Sequence, residues 1–170
     1  MDIWALLIVP LAAALIITFI TRKRAELSSY ISVGAVVVCF LIILPYFVRM
    51  IGNPHFEHIE QSFLWIDIPG LMVEMGTIID PLSLIMLFIV TFVGALIHIY
   101  SRNYMHGEKG YARFFASLSL FIFSMLGIVL ANNFIMIFVF LELVGLASYL
   151  LIGFYYEKPS AADAAKKAFL

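Results

Sequence analysis

Five stretches of about twenty mostly apolar residues run along this chain, each long enough to cross a bilayer as a helix. They lie near 3–20, 28–50, 81–101, 112–131 and 133–156. A soluble domain of 170 residues would need far more polar surface than this composition supplies, because 64% of residues are hydrophobic and only 12% charged. Mean hydropathy is +1.08. The expectation over residues 1–170 is an all-α integral membrane protein. It has about five transmembrane helices, the start of a sixth and a short external β-hairpin. A formal net charge of −1 points to no nucleic-acid partner.

The polar punctuation supports this division. Arg22, Lys23 and Arg24 close the first span, and Pro45 inside the second is expected to kink it, a feature membranes tolerate. Between the second and third spans, the segment 52–80 carries SFLWIDI and LMVEMGTII on either side of Pro69-Gly70. Alternating apolar residues around a Pro-Gly turn predict a hairpin lying on the membrane surface. The last residues, SAADAAKKAFL, read as the start of another helix with Ser160 as its N-cap. Five spans place nine of the ten Lys and Arg residues on one side and leave Arg49 on the other. The positive-inside rule then puts the N-terminus and the hairpin outside. The N-terminus lacks the basic start of a cleavable signal peptide, and its apolar run is long enough to span.

Several chemistries find no support. The chain has neither a GxxxxGK[ST] phosphate loop nor a Rossmann glycine fingerprint. Its single cysteine, Cys39, reads as a small core residue rather than a ligand to a cluster or to zinc. Of His55, His58, His98 and His106, only His98 falls in a span, so paired axial haem ligands are not available. The sequence therefore points to no metal site and no bound cofactor in this chain.

One charge stands out instead. Glu142, in FLELVGLASYLLIGFYY, is the only charged residue in the central part of any span. A carboxylate at a helix centre costs roughly 2.5–3.5 kcal/mol on insertion scales, so it needs a partner, a water cavity or a proton. Burial disfavours the anion. A buried Glu that gains and loses a neighbouring cation would switch between its two protonation states, as a proton relay requires. The plainer alternative is a Glu that hydrogen-bonds between helices. Gly145 and Tyr149 follow one and two turns later on the same face, with Ser148 beside them. Gly145 would allow close helix approach, while Tyr149 and Ser148 offer hydroxyls; packing and local hydrogen bonding are the plainer readings. His98 reads as an interfacial histidine beside Tyr100, Arg102 and Tyr104, with a relay role as its alternative. Lys166 and Lys167 read as boundary lysines, again with a relay role as the alternative. Glu142 lies nine residues after Asn133 and fourteen before Tyr156, the latter putting it roughly 20 Å from the inner end of its span. His98 lies only about 5 Å deep on the same reckoning, too far away for contact. The cation must come from water, another subunit or chain beyond Leu170.

DPLSLIMLFIVTFVGALIHIYSRNYM, GYARFFASLSLFIFSML and FLELVGLASYLLIGFYY followed by AAKKAF resemble the proton-translocating, antiporter-like L subunit of bacterial complex I. Large subunits of multisubunit sodium/proton antiporters share a similar core. The resemblance implies that this chain is the N-terminal part of a larger helical subunit of an NADH:quinone oxidoreductase in the bacterial cytoplasmic membrane. It also implies that Glu142 matches the family's key glutamate and pairs with a lysine on a later broken helix. Leu141 stands where the family usually has Trp, and Ala147 where it often has Cys. Partners would be other membrane subunits and the lipid bilayer. NADH, FMN, iron–sulfur clusters and quinone would be bound by other subunits. Two alternatives stay open: a subunit of a sodium/proton antiporter without redox chemistry, and a purely structural membrane chain.

Overall fold

The computed structural model describes residues 3–53, 57–68 and 70–169. His55, Pro69 of the expected turn, and Leu170 lie outside them. The described order is α1 (Ala5–Phe19), α2 (Ala25–Gly52), β1 (Ile59–Ile68), β2 (Leu71–Ile79), α3 (Pro81–Tyr104), α4 (Tyr111–Leu130), α5 (Phe134–Ile152), a 3₁₀ turn (Gly153–Tyr155) and α6 (Pro159–Phe169).

Among the described residues, four helices are long and apolar enough to cross a membrane: α2, α3, α4 and α5 with its 3₁₀ extension. The sequence predicts five. The difference is α1, whose 15 residues rise about 22 Å, short of a hydrocarbon core of about 30 Å. At the other extreme α2 has 28 residues and continues through Pro45. The ring removes the donor that would reach the Leu41 carbonyl, yet the apolar surroundings preserve the helix on both sides.

The hairpin forms where the Pro-Gly signal predicts it. β1 and β2 pair antiparallel, with Ile59 opposite Ile79 and a register shift between Leu64 and Ile66. Gly70 takes φ +88°, a conformation that favours glycine. The α4–α5 turn grips this hairpin. Asn132 N–H donates to the Gly76 carbonyl at 3.2 Å, and Asn133 Nδ2 donates to the Glu74 carbonyl at 2.7 Å. Asn133 also caps α5, its Oδ1 accepting from Met136 N–H at 2.8 Å. Asn133→Ala removes both roles. It should lower stability by about 1–2 kcal/mol, read as a drop in the thermal unfolding midpoint of the purified protein. An unchanged midpoint would show that the cap and the hairpin anchor contribute nothing.

Successive helices run antiparallel, which gathers the connections at two ends. At the hairpin end Trp4 packs on Phe63, ring centroids 5.3 Å apart. At the other end Arg102 Nη2 donates to the Tyr30 hydroxyl, and Arg113 Nη2 donates to the Phe154 carbonyl at 2.9 Å. This second end carries the Arg22–Arg24 turn, Arg102, Lys109, Arg113 and Lys158. α6 starts there at Pro159, so Ser160 sits within its first turn rather than capping it. Proline's fixed φ suits the first helical position, and this moves the start two residues earlier than the Ser signal implies.

α4 is the central helix, packing against α1, α2, α3 and α5. Half of its span is buried, against 17% for the span containing α5. Close approach rests on small residues, as expected where lipid offers no hydrophobic drive between helices. Gly94 of α3 faces Ile122 of α4 and Val36 of α2, and Gly127 of α4 lies directly under the Phe140 ring of α5. Cys39 is a buried free thiol, its Sγ 3.7 Å from the Leu6 carbonyl.

Candidate proton-relay site

α5 is apolar on nearly every side, so its packing is decided by shape. Met136, Phe140 and Ala147 turn inward. Phe138, Leu141, Glu142 and Tyr149 lie exposed on the opposite side. Glu142 is the ninth of the helix's 19 residues, about 12 Å and 15 Å from its two ends.

The sequence predicts a buried glutamate, but within this chain the carboxylate is exposed. The reason is steric. α4 presents Gly127 and Phe123 to Phe140, which locks that side of α5 inward and turns Glu142 away. No hydrogen bond or ion pair joins Glu142 to another described residue. A mid-helix carboxylate left against lipid would cost the roughly 2.5–3.5 kcal/mol of insertion scales, so this face calls for a polar or cationic cover.

The other candidates divide. Tyr149 shares the open face of Glu142, two turns on, and its ring meets Phe169 of α6 edge-on at 5.8 Å. Ser148 is half-buried. Gly145 is also half-buried, with no atom within 4 Å of where a Cβ would stand, so no described helix uses it for close approach. Lys167 is exposed on α6. Its neighbour Lys166 instead lines a cavity of about 190 Å³ with Tyr149, Arg113 and Gly153. Tyr149 and Lys166 are thus brought near one another, while Glu142 stands about 10 Å further along α5.

His98 turns into the helix bundle. Its side chain is 1% exposed, and α3 continues six residues past it to Tyr104, placing it about 9 Å from the helix end rather than about 5 Å. Helical periodicity explains this. Gly94, His98, Ser101 and Met105 share the inward stripe, while Tyr100 and Tyr104 are more than two-thirds exposed. His98 Nδ1 lies 2.7 Å from the Gly94 carbonyl. A carbonyl only accepts, so Nδ1 carries the proton and neutral His98 presents Nε2 as an acceptor. Nε2 has no partner among the described residues.

Sequence reasoning missed a buried hydroxyl pair in the same region. Ser32 Oγ and Ser119 Oγ are 2.7 Å apart, and Ser32 also donates to the Phe115 carbonyl at 3.3 Å. Counting along antiparallel helices from the Gly94–Val36–Ile122 contact brings His98, Ser32 and Ser119 to one depth, about 5–6 Å toward the basic end. The available signal was serine recurring within apolar runs, at Ser28, Ser29 and Ser32 and at Ser117 and Ser119.

Comparison with known proteins gives consistent relatives. Residues 65–115 match the family described as NADH-Ubiquinone oxidoreductase (complex I), chain 5 N-terminus. Residues 131–170 match NADH:quinone oxidoreductase/Mrp antiporter, TM. NADH-quinone oxidoreductase subunit L of Mycobacterium tuberculosis is 43% identical over 169 residues, covering 98% of this chain and 27% of that protein. F(420)H(2) dehydrogenase subunit L of Methanosarcina mazei is 44% identical over 163 residues, covering 96% of this chain and 24% of that protein. A solved structure of the Mrp complex from Dietzia superposes with a TM-score of 0.74 at 26% identity, covering 95% of this chain and 16% of that one. The chain spans about a quarter of the length of the protein relatives it matches.

Proposed function

Because this chain belongs to the antiporter-like family of NADH:quinone oxidoreductase membrane subunits, we propose that it works within a proton-translocating subunit of such an oxidoreductase, with Glu142 as a relay carboxylate. The observation that carries this reading is the position of Glu142: mid-helix, charged, unpaired among the described residues and on an open face. A cation brought against that face favours the anion, and its withdrawal favours the protonated acid. Alternation between these two states moves a proton.

Supporting roles follow from placement. Tyr149 and Ser148 offer hydroxyls that can order water along the same helix, and Gly145 leaves room for it. Lys167, with Lys166, supplies positive charge toward the basic end. His98 offers a second titrating group, at the depth of the serine pair. The gathering of the Arg22–Arg24 turn, Arg102, Lys109, Arg113 and Lys158 at one end favours that side as cytoplasmic, with the N-terminus and hairpin outside the bacterial cytoplasmic membrane. The similarity to an F(420)H(2) dehydrogenase subunit supports a role that is separate from the electron donor. NADH, FMN, iron–sulfur clusters and quinone accordingly belong to partner subunits, and this chain's part is proton transfer.

The Mrp structural match favours a second reading, sodium/proton exchange without redox chemistry. The two are separated by purifying the complex that contains this chain into proteoliposomes. Proton movement driven by NADH oxidation, and independent of sodium, is the expected result. Sodium-driven proton movement with no NADH:quinone activity would replace the first reading by the second.

His98 provides a further check. His98→Leu should slow proton translocation by about 10²-fold or more, the range for a lost proton-transfer group. His98→Gln, which keeps an acceptor but cannot titrate, separates hydrogen bonding from proton transfer. If both variants pump normally, His98 only packs.

A further inference from the structure

A cavity of about 380 Å³ lies between α1 and α4, with Leu150 of α5 at one side. Its walls are apolar: Leu11 and Leu15 on α1 face Ala116 and Leu120 on α4. Two arginines, Arg22 and Arg113, border it at the basic end, and no acidic side chain lines it among the described residues. We propose that this groove binds one anionic phospholipid, with its phosphate on Arg22 and Arg113 and one acyl chain along the apolar walls.

The shape fits a molecule with a charged head and a slim tail. From Thr18 to Leu11 the groove follows α1 for about 10 Å, and from Arg113 to Leu120 it follows α4 for about the same distance. Alanines on α4 (Ala112, Ala116) and Ala14 on α1 hollow the walls.

The electrostatics select the head. Two arginine side chains line one cavity without a carboxylate among its walls, an arrangement that favours an anion. Arg113 is already oriented. It donates to the Phe154 carbonyl at 2.9 Å and its guanidinium carbon lies 4.9 Å over the Tyr156 ring. A guanidinium has five N–H donors, so others stay available for phosphate oxygens. Arg22 makes no hydrogen bond or ion pair with a described residue. Basic pockets between transmembrane helices at the positively charged side are a recognised setting for lipid headgroups.

The test uses the purified complex containing this chain, stripped of lipid and then offered phosphatidylglycerol or phosphatidylcholine in mixed micelles, with bound lipid counted by native mass spectrometry. Wild type should retain phosphatidylglycerol preferentially. Arg22→Gln, an exposed change that leaves the fold alone, should weaken that retention about fivefold, the loss of one basic contact. Ala116→Phe, which fills the tail groove, should reduce retention of both lipids. Equal retention of the two lipids by wild type would overturn the proposal, whether because the groove is filled by other protein or because the arginines do not select. Undiminished phosphatidylglycerol in both variants would overturn it as well. Lipid counts are independent of proton transport, so this result and the relay reading stand or fall separately.

Discussion

Glu142→Gln in the assembled complex should lower the number of protons moved per electron while NADH oxidation and quinone reduction continue. Glutamine keeps the size and the helix-forming character of glutamate, so α5 and its packing through Met136, Phe140 and Ala147 are preserved. What is lost is the group that titrates. A positioned acid–base group contributes about 10²- to 10⁴-fold to its transfer step. Its removal should therefore eliminate this chain's share of pumping rather than trim it. Glu142→Asp keeps the carboxyl but withdraws it by one methylene, and should fall between wild type and Gln. The measurement is the proton-to-electron ratio in proteoliposomes, taken with quinone reduction in the same sample. A wild-type ratio in the Gln variant would remove Glu142 from the relay. A parallel loss of assembly would assign it a structural role instead.

The parts of this architecture that follow from local pattern were open to reading. Four long spans show as apolar length, the hairpin shows as alternation around Pro69-Gly70, and the gathering of basic residues at one end follows from counting spans. The first expected span, 3–20, differs in length: its regular helical hydrogen bonding covers Ala5–Phe19. His98 shows the cost of reading neighbours along the chain instead of around the helix. Tyr100 and Arg102 adjoin it in sequence but point elsewhere, while Gly94 and Ser101, one turn away on either side, share its buried stripe. The facing of Glu142 was beyond sequence reasoning for a different reason. α5 is apolar all round, and such a helix carries no stripe that distinguishes inside from outside. Its orientation rests on contacts between residues on different helices, above all Gly127 and Phe123 against Phe140. The grip of Asn132 and Asn133 on the hairpin, the Ser32–Ser119 pair and the arginine-bordered groove are likewise meetings of residues distant in sequence.

The contact of Gly127 with Phe140 supplies the second large effect. Gly127→Ala should destabilise the protein by about 1–3 kcal/mol, the cost of overpacking a filled interior, because the new methyl would overlap the Phe140 ring. The ring has little freedom to yield: it is 5% exposed and packs edge-on against Phe123 at 5.2 Å. α5 must then shift outward as a unit, and Glu142, two residues from Phe140, moves with it. Proton translocation should fall even though no titratable group has changed, since misplacement by about 1 Å is enough to slow a positioned reaction by about 10²-fold. Phe140→Leu in the same chain makes room for the methyl. The double variant should recover both the unfolding midpoint and the proton-to-electron ratio relative to Gly127→Ala alone, giving a favourable coupling of about 0.5–3 kcal/mol in the double-mutant cycle. Glu142→Gln would show the opposite combination, a normal midpoint with lost pumping and no rescue by Phe140→Leu. The pair of experiments thereby separates what holds the carboxylate in position from what the carboxylate does. If Gly127→Ala left stability unchanged, or the double variant behaved as the sum of its parts, the packing of α4 on α5 would not be what sets the face that Glu142 presents.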